Sequence, residues 1–535
     1  MTLARISPAA LHALIEAPAR QEGAELAILD AREEGEFGTA HLFWAVPCPL
    51  SQCEWRAPAL LPGKAARIVC VDDGRGLAER LAAFLLGQGY TDVAVLEGGT
   101  PAWAAAGYVL FSGVNVPSKA FGEWVEHQYG TESVDAPELK SWIEAGRDMV
   151  VLDSRTAEEF HRMSIPTGIS VPGGELAYRI GDLAPDPATL VVVNCAGRTR
   201  SIMGAESLRR AGIPNKVVAL RNGTMGWELA GFRCDRGRLE RFTPTRPASL
   251  TLARERAERF ATAAGVRVID AAQCAALAAD PARTLYLLDV RDPAEYRAGH
   301  HARAVNAPGG QLVQATDQWV AVRGARIVLT DDTGVRARMA AAWLRQMGHR
   351  DVFVVPGLIA GGEAPARPAP PDAAGIDVLG LAHLLDSGIA TAIVDLARSI
   401  VFRDGHIPGA VWGVRSRLAR LAPALAGAEE VVITSPDGMA ARYAVPEIAA
   451  LTKARVRVLE GGTAAWHDFG RPLNRDRTDP PDQDCIDFYL RPYDRNTGIE
   501  EAMAAYLSWE IDLVHEIARD GTVHFGPALI EAAHS

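Results

Sequence analysis

Cys195 is the side chain of this sequence best placed to act as a nucleophile. It follows the apolar run LVVVN and opens the segment Cys195-Ala196-Gly197-Arg198-Thr199-Arg200-Ser201, which leads into a helix-like stretch. A cysteine at such a strand-to-helix turn faces successive backbone N–H groups and a helix N-terminus, whose partial positive charge favours the thiolate and lowers its pKa. Gly197 lets the backbone curl tightly, and two guanidinium groups and two hydroxyls follow that suit an anionic group beside the sulfur. The chemistry is attack by a thiolate, which needs no general base, metal or cofactor.

The other six cysteines, Cys48, Cys53, Cys70, Cys234, Cys274 and Cys485, lack this setting. Cys70 reads as a strand residue, Cys48, Cys53 and Cys234 as loop residues, and all six as structural. No CxxC pair or zinc-like spacing occurs, which fits a reducing cytoplasm. A formal charge of −11 argues against a surface for nucleic acid. The sequence has no apolar run long enough for a membrane span. Only five of 55 basic residues are lysine, so a lone arginine carries little information.

The elements that must position Cys195 occur four times. Each copy opens with an apolar run ending in aspartate, LAILDAR, MVVLDSR, LYLLDVR and TAIVDLAR, with Asp30, Asp153, Asp289 and Asp395 at its end. An acidic–aromatic pair follows in three copies (Glu36–Phe37, Glu159–Phe160, Glu295–Tyr296), and His41, His300 and His406 each stand eleven residues beyond their aspartate. A second apolar strand, a turn and a helical stretch come next, then a third strand entering a glycine turn, as in VAVLEGGTPAW. This alternation predicts α/β domains, each a mainly parallel sheet flanked by helices. Laid together, the second strands put Cys195 opposite Asp72, Asp331 and Ser435, so only the second repeat has a nucleophile there.

The D-x-R strand end, the GHIPGA turn, the loop before the helix and the GGxxxW turn together closely resemble the rhodanese family, from about residue 5 to about residue 475. The resemblance implies four tandem rhodanese-like domains: repeats at 1–112, 128–240, 263–362 and 374–475, with the second catalytic and the other three inactive. Linkers are expected near 111–128, 240–262 and 362–374. Residues 476–535 are expected to form a polar linker and a C-terminal helix that packs back on a repeat.

By this resemblance the protein is a thiosulfate sulfurtransferase. Cys195 would take the outer sulfur of an anionic donor as a persulfide and pass it to cyanide, a cellular thiol or a protein acceptor. Ala196, Gly197, Arg198, Thr199, Arg200 and Ser201 would form the substrate-binding loop, with Arg198 and Arg200 holding the sulfonate or tuning the persulfide. Asp153, Arg155 and Glu159 are candidates for support, although a structural salt bridge or cap explains them too. The second repeat has Met163-Ser164 where the family has Gly-His, so no histidine acts there. A phosphatase loop needs five residues between Cys and Arg, whereas Arg200 follows after only four. The alternative is a sulfur carrier or regulatory scaffold whose inactive repeats bind partners. An inactive repeat, the first or the third, is expected to wall the active cleft. His41, His300 and His406 suggest a shared turn, Asp72–Asp73 and Asp331–Asp332 helix capping, and Trp103, Trp227 and Trp466 packing anchors.

Overall fold

The computed structural model describes residues 3–16, 24–357 and 369–526. Four parallel sheets run along the chain. In the second, the strand order is Ser133–Val134, Val217–Leu220, Leu190–Asn194, Met149–Asp153 and Ile169–Ser170. The third and fourth sheets repeat this order, and the first repeats it with an added strand, Val322–Arg323, which comes from the third repeat and pairs antiparallel with Leu26 and Ala27. The central strands are buried runs rich in Val, Ile and Leu, as parallel sheets covered on both faces require.

Local signals repeat as well. The first long helix of repeats two, three and four starts at an aspartate, Asp135, Asp270 or Asp377, whose carboxylate accepts the amide three residues on. Trp103, Trp227 and Trp466 are buried, and each indole donates to a carbonyl six residues on, at Val109, Arg233 and Pro472. His41, His300 and His406 stack on Phe37, Tyr296 and Phe402 with centroids 3.9, 3.9 and 3.8 Å apart, so the spacing serves one turn.

Two expected linkers are helices instead. Residues 111–128 contain most of helix Val116–Tyr129, which buries Val116, Ala120, Phe121 and Val125, and 240–262 contain most of helix Pro247–Ala263, which buries Ala253, Ala257, Phe260 and Ala261. Both have apolar residues at helical spacing, and both pack between repeats. Cys53 begins helix Cys53–Leu60 and is not in a loop. The third glycine turn beyond Gly357 and the linker residues 362–368 lie outside the described residues.

The repeats pair two by two. Repeats two and three meet where a Cβ on Gly174 would lie 2.8 Å from the Gly310 nitrogen, and Arg336 reaches Glu175 at 2.7 Å. Repeats one and four join through Arg415–Glu54 at 2.5 Å, Arg80–Glu447 at 2.6 Å and Arg417–Glu36. The C-terminal helix, Ile499–Asp520, turns back from the fourth repeat and lies against Val116–Tyr129 and the second repeat. Among the described residues no helix is long and apolar enough to cross a membrane.

Candidate active site

Strand Leu190–Asn194, buried throughout, delivers Cys195 to the start of helix Thr199–Ala211. The thiol is 2% exposed and lies 3.5 Å from the Ser201 hydroxyl, which donates to the Arg198 carbonyl at 2.8 Å. The glycine turn clamps the loop, since the amides of Thr224 and Met225 donate to the carbonyls of Cys195 and Ala196 at 2.8 and 3.0 Å. Gly223 has φ +54, and a Cβ there would lie 2.2 Å from the Cys195 oxygen, so only glycine fits.

The sister repeats reveal what this loop geometry holds. In the first, the Asp72 carboxylate accepts the amides of Gly74, Leu77 and Ala78 at 2.8, 2.8 and 3.3 Å. In the third, Asp331 accepts those of Gly334 and Arg336 at 2.6 and 3.0 Å. In these two sister repeats the turn therefore gathers N–H donors around a carboxylate at the position that Cys195 occupies in the second. In the fourth repeat, among the described residues, the Ser435 hydroxyl accepts only the Ala441 amide, at 3.4 Å.

The charged neighbours divide into framework and cavity wall. Arg155 binds Asp153 through two bonds, of 2.9 and 2.7 Å, and donates to the Met163 carbonyl at 2.5 Å. Arg32–Asp30 and Arg291–Asp289 repeat this pair where no cysteine is present, so it braces the strand end. Arg200 is held by Glu159 through bonds of 2.7 and 2.8 Å. Burial opposes ionisation of Glu159, but the charge and hydrogen bonds of Arg200, with the charges of Arg155 and Arg491, together outweigh it and keep that carboxyl well below the usual range. Arg198 turns the other way, into Glu123 and Glu126 of helix Val116–Tyr129, and does not line the cavity described next. The expectation that both loop arginines face the substrate is thus corrected: one of them staples the loop to a neighbouring helix.

A cavity of about 130 Å³, room for several waters or a small oxyanion, opens over the loop at Ala196 and Arg200. The second repeat adds Arg155, Glu159, Arg162, Met163 and Met225, and the third repeat supplies Gln311 and Gln314. The wall the sequence did not indicate comes from Asn115 and Lys119 on one side and from Tyr489, Arg491, Tyr493 and Tyr506 of the C-terminal segment on the other. Met503 and Leu507 pack on Met225 and Ala196, while Thr199 donates to Glu510 at 3.4 Å. A Cβ on Gly197 would meet Glu510 at 2.8 Å, and the glycine's φ lies outside the left-handed region, so Gly197 serves this close approach and not the expected tight curl. Lys119 had one signal in the sequence, as a rare lysine in an arginine-rich chain, but it stood in a segment that read as linker.

Burial pushes the Cys195 thiol up from its ordinary value, with the Arg200 charge and the Ser201 hydroxyl pulling it back and Glu510 pushing further. This corrects the expectation of a lowered pKa. The amide donors and Arg200 oppose a burial penalty that is larger than they are.

A second cavity, of about 280 Å³, lies at the matching place in the fourth repeat, against Ser51, Gln52 and Trp55 of the first. There Ala397, Val401 and Ala440 stand where the second repeat has Arg155, Glu159 and Arg200.

The rhodanese-like domain family model matches residues 7–106, 135–230 and 270–361. The crystal structure of a thiosulfate sulfurtransferase from Pseudomonas aeruginosa is 44% identical, covers 98% of this chain and 99% of its own, and superposes with a TM-score of 0.93. The HTH-type transcriptional regulator Rv0324 of Mycobacterium tuberculosis is 32% identical over 107 residues, which are 20% of this chain, and the chain spans 46% of that relative's length. With the family model matching over half of its length, in sheets of one common order, this chain belongs to the rhodanese-like domain family.

Proposed function

We propose that this protein is a thiosulfate sulfurtransferase working through a persulfide on Cys195. The Cys195 thiolate attacks the outer sulfur of thiosulfate, the donor's S–S bond breaks, and its electron pair leaves with sulfite. The persulfide anion that remains is held by the loop amides, and a thiophilic acceptor, cyanide or a thiol, then takes its outer sulfur. Charge balances in the first step, since thiolate and thiosulfate dianion become persulfide anion and sulfite dianion.

The observation that carries this reading is the pair of aspartates, Asp72 and Asp331, whose carboxylates collect loop amides where the second repeat has its cysteine. A turn that holds an anion in two repeats is suited to hold a charged sulfur in a third. The likeness to the Pseudomonas aeruginosa enzyme over nearly the whole chain supports the same chemistry. Asp153 and Arg155 brace the loop, Glu159 orients Arg200, and Arg200 meets the developing negative charge.

The test is turnover of thiosulfate with cyanide. Thiocyanate should form with the intact chain and not with Cys195→Ser. An intact chain that forms none is a scaffold, and the enzymatic reading fails.

A further inference from the structure

Five cations wall the cavity over the active loop: Arg155 and Arg162, which are paired with Asp153 and Asp494, and three of different origin, Arg200 from the loop helix, Lys119 from the helix between repeats one and two, and Arg491 from the segment after repeat four. Arg200 is committed to Glu159. Lys119 is 6% exposed, with its ammonium 3.6 Å from Glu510 and 4.3 and 4.6 Å from the ring centres of Tyr506 and Trp509. Arg491 is exposed, and among the described residues its guanidinium makes no hydrogen bond or ion pair. The acids nearby are engaged, Glu159 by Arg200, Asp494 by Arg162 at 3.1 Å, and Glu510 through Oε1 by Lys119 and Tyr506, while the buried Glu510 Oε2 has no hydrogen-bond partner among the described residues. Burial pulls the Lys119 ammonium down to about 8, and the charges of Arg491 and Arg200 add to the effect. Cations gathered at a partly dry cavity repel one another until an anion joins them.

We propose that Lys119 and Arg491 bind the sulfonate of the donor, so that the second repeat's preference for an anionic sulfur donor is set by segments outside that repeat. The inference rests on the sulfurtransferase reading and deepens it. The sulfonate sits between the two cations and the outer sulfur points to Cys195. Sulfite is stabilised by the same pair as it leaves, which makes Lys119 and Arg491 substrate-binding residues that also favour the transition state.

The experiment uses the full chain, with Arg491→Gln, Lys119→Met and the conservative pair Arg491→Lys and Lys119→Arg, assayed with thiosulfate and cyanide. Sulfur transfer through an enzyme-bound persulfide separates its two half-reactions, so kcat/KM for each substrate reports one of them. In Arg491→Gln the kcat/KM for thiosulfate should fall about tenfold or more, the loss of one charge-assisted hydrogen bond. For cyanide it should stay within about twofold, and Arg491→Lys should restore most of the loss. Lys119→Met should act in the same direction, with Lys119→Arg as its control. Because Arg491 is on the surface, its substitution leaves the fold intact, and that variant decides the matter if Lys119→Met misfolds. An unchanged thiosulfate value in Arg491→Gln, or an equal fall for both substrates, overturns the anion site while leaving the persulfide reading standing. If the unsubstituted chain is never loaded by thiosulfate, the underlying reading is what fails.

Discussion

At the scale of single residues, the site balances a buried sulfur against a few groups that favour its charge. Arg200 is the foremost of these, so Arg200→Leu should move the thiol further up, seen as a shift to higher pH in thiolate absorbance and in alkylation of Cys195. An unmoved titration would show that Arg200 does not act on the sulfur. The aspartates of the inactive loops have a structural duty. Asp331→Ala strands two amides at the start of helix Val335–Gln346, and it should cost roughly 1–3 kcal/mol in thermal or denaturant unfolding while leaving persulfide formation on Cys195 intact. Cys195 was legible in the sequence because its meaning is local, a strand end, a turn and a comparison with three sister loops, whereas Gly197, read for a curl, makes room for Glu510 and Tyr506 of a distant helix. Arg198 was not, because Glu123 and Glu126 take it up from a distant segment, and spacing within the loop says nothing of them.

At the scale of elements, the C-terminal helix changes meaning. Its apolar spacing showed a helix packing back on a repeat, and it does so directly over the active loop. Gly197→Ala should push Glu510 and Tyr506 off the loop and lower thiosulfate turnover about ten- to hundredfold, with the circular dichroism spectrum preserved. Full activity in that variant would show that the helix has no positioning role. Lys119 gives this wall a pH dependence. Below about 8 its ammonium is charged and attracts an anion, and above it the attraction fades. The groups facing it are Glu510, Tyr506, Trp509, Arg491 and Arg200, with the buried Asp317 also within reach of its charge. Calorimetric affinity of Cys195→Ser for thiosulfate should therefore weaken as pH rises through about 8, whereas a flat profile would remove Lys119 from the anion site. These contacts were hidden from the sequence because Lys119 and Tyr506, now touching, are 387 positions apart.

At the scale of the whole molecule, four similar units divide into two pairs, and each pair encloses a cavity beside a loop. Only one pair keeps the charged groups and the cysteine. The repeats were legible from their strand ends and glycine turns, since buried parallel strands have a composition that survives without homologues for comparison. The pairing was not, because it depends on surfaces such as Gly173–Gly174 against Gly309–Gly310, where small residues permit close backbone approach and leave no periodic mark. Gln311 and Gln314 reach the active cavity only through that contact. Sulfur transfer by this protein turns on whether Cys195 accepts sulfur. Mass spectrometry of the intact chain and of its Cys195 peptide after exposure to thiosulfate should reveal a gain of one sulfur atom at Cys195, removed by cyanide and absent in Cys195→Ser. An unmodified Cys195 peptide, or sulfur loaded equally well onto the Cys195→Ser chain, would contradict it.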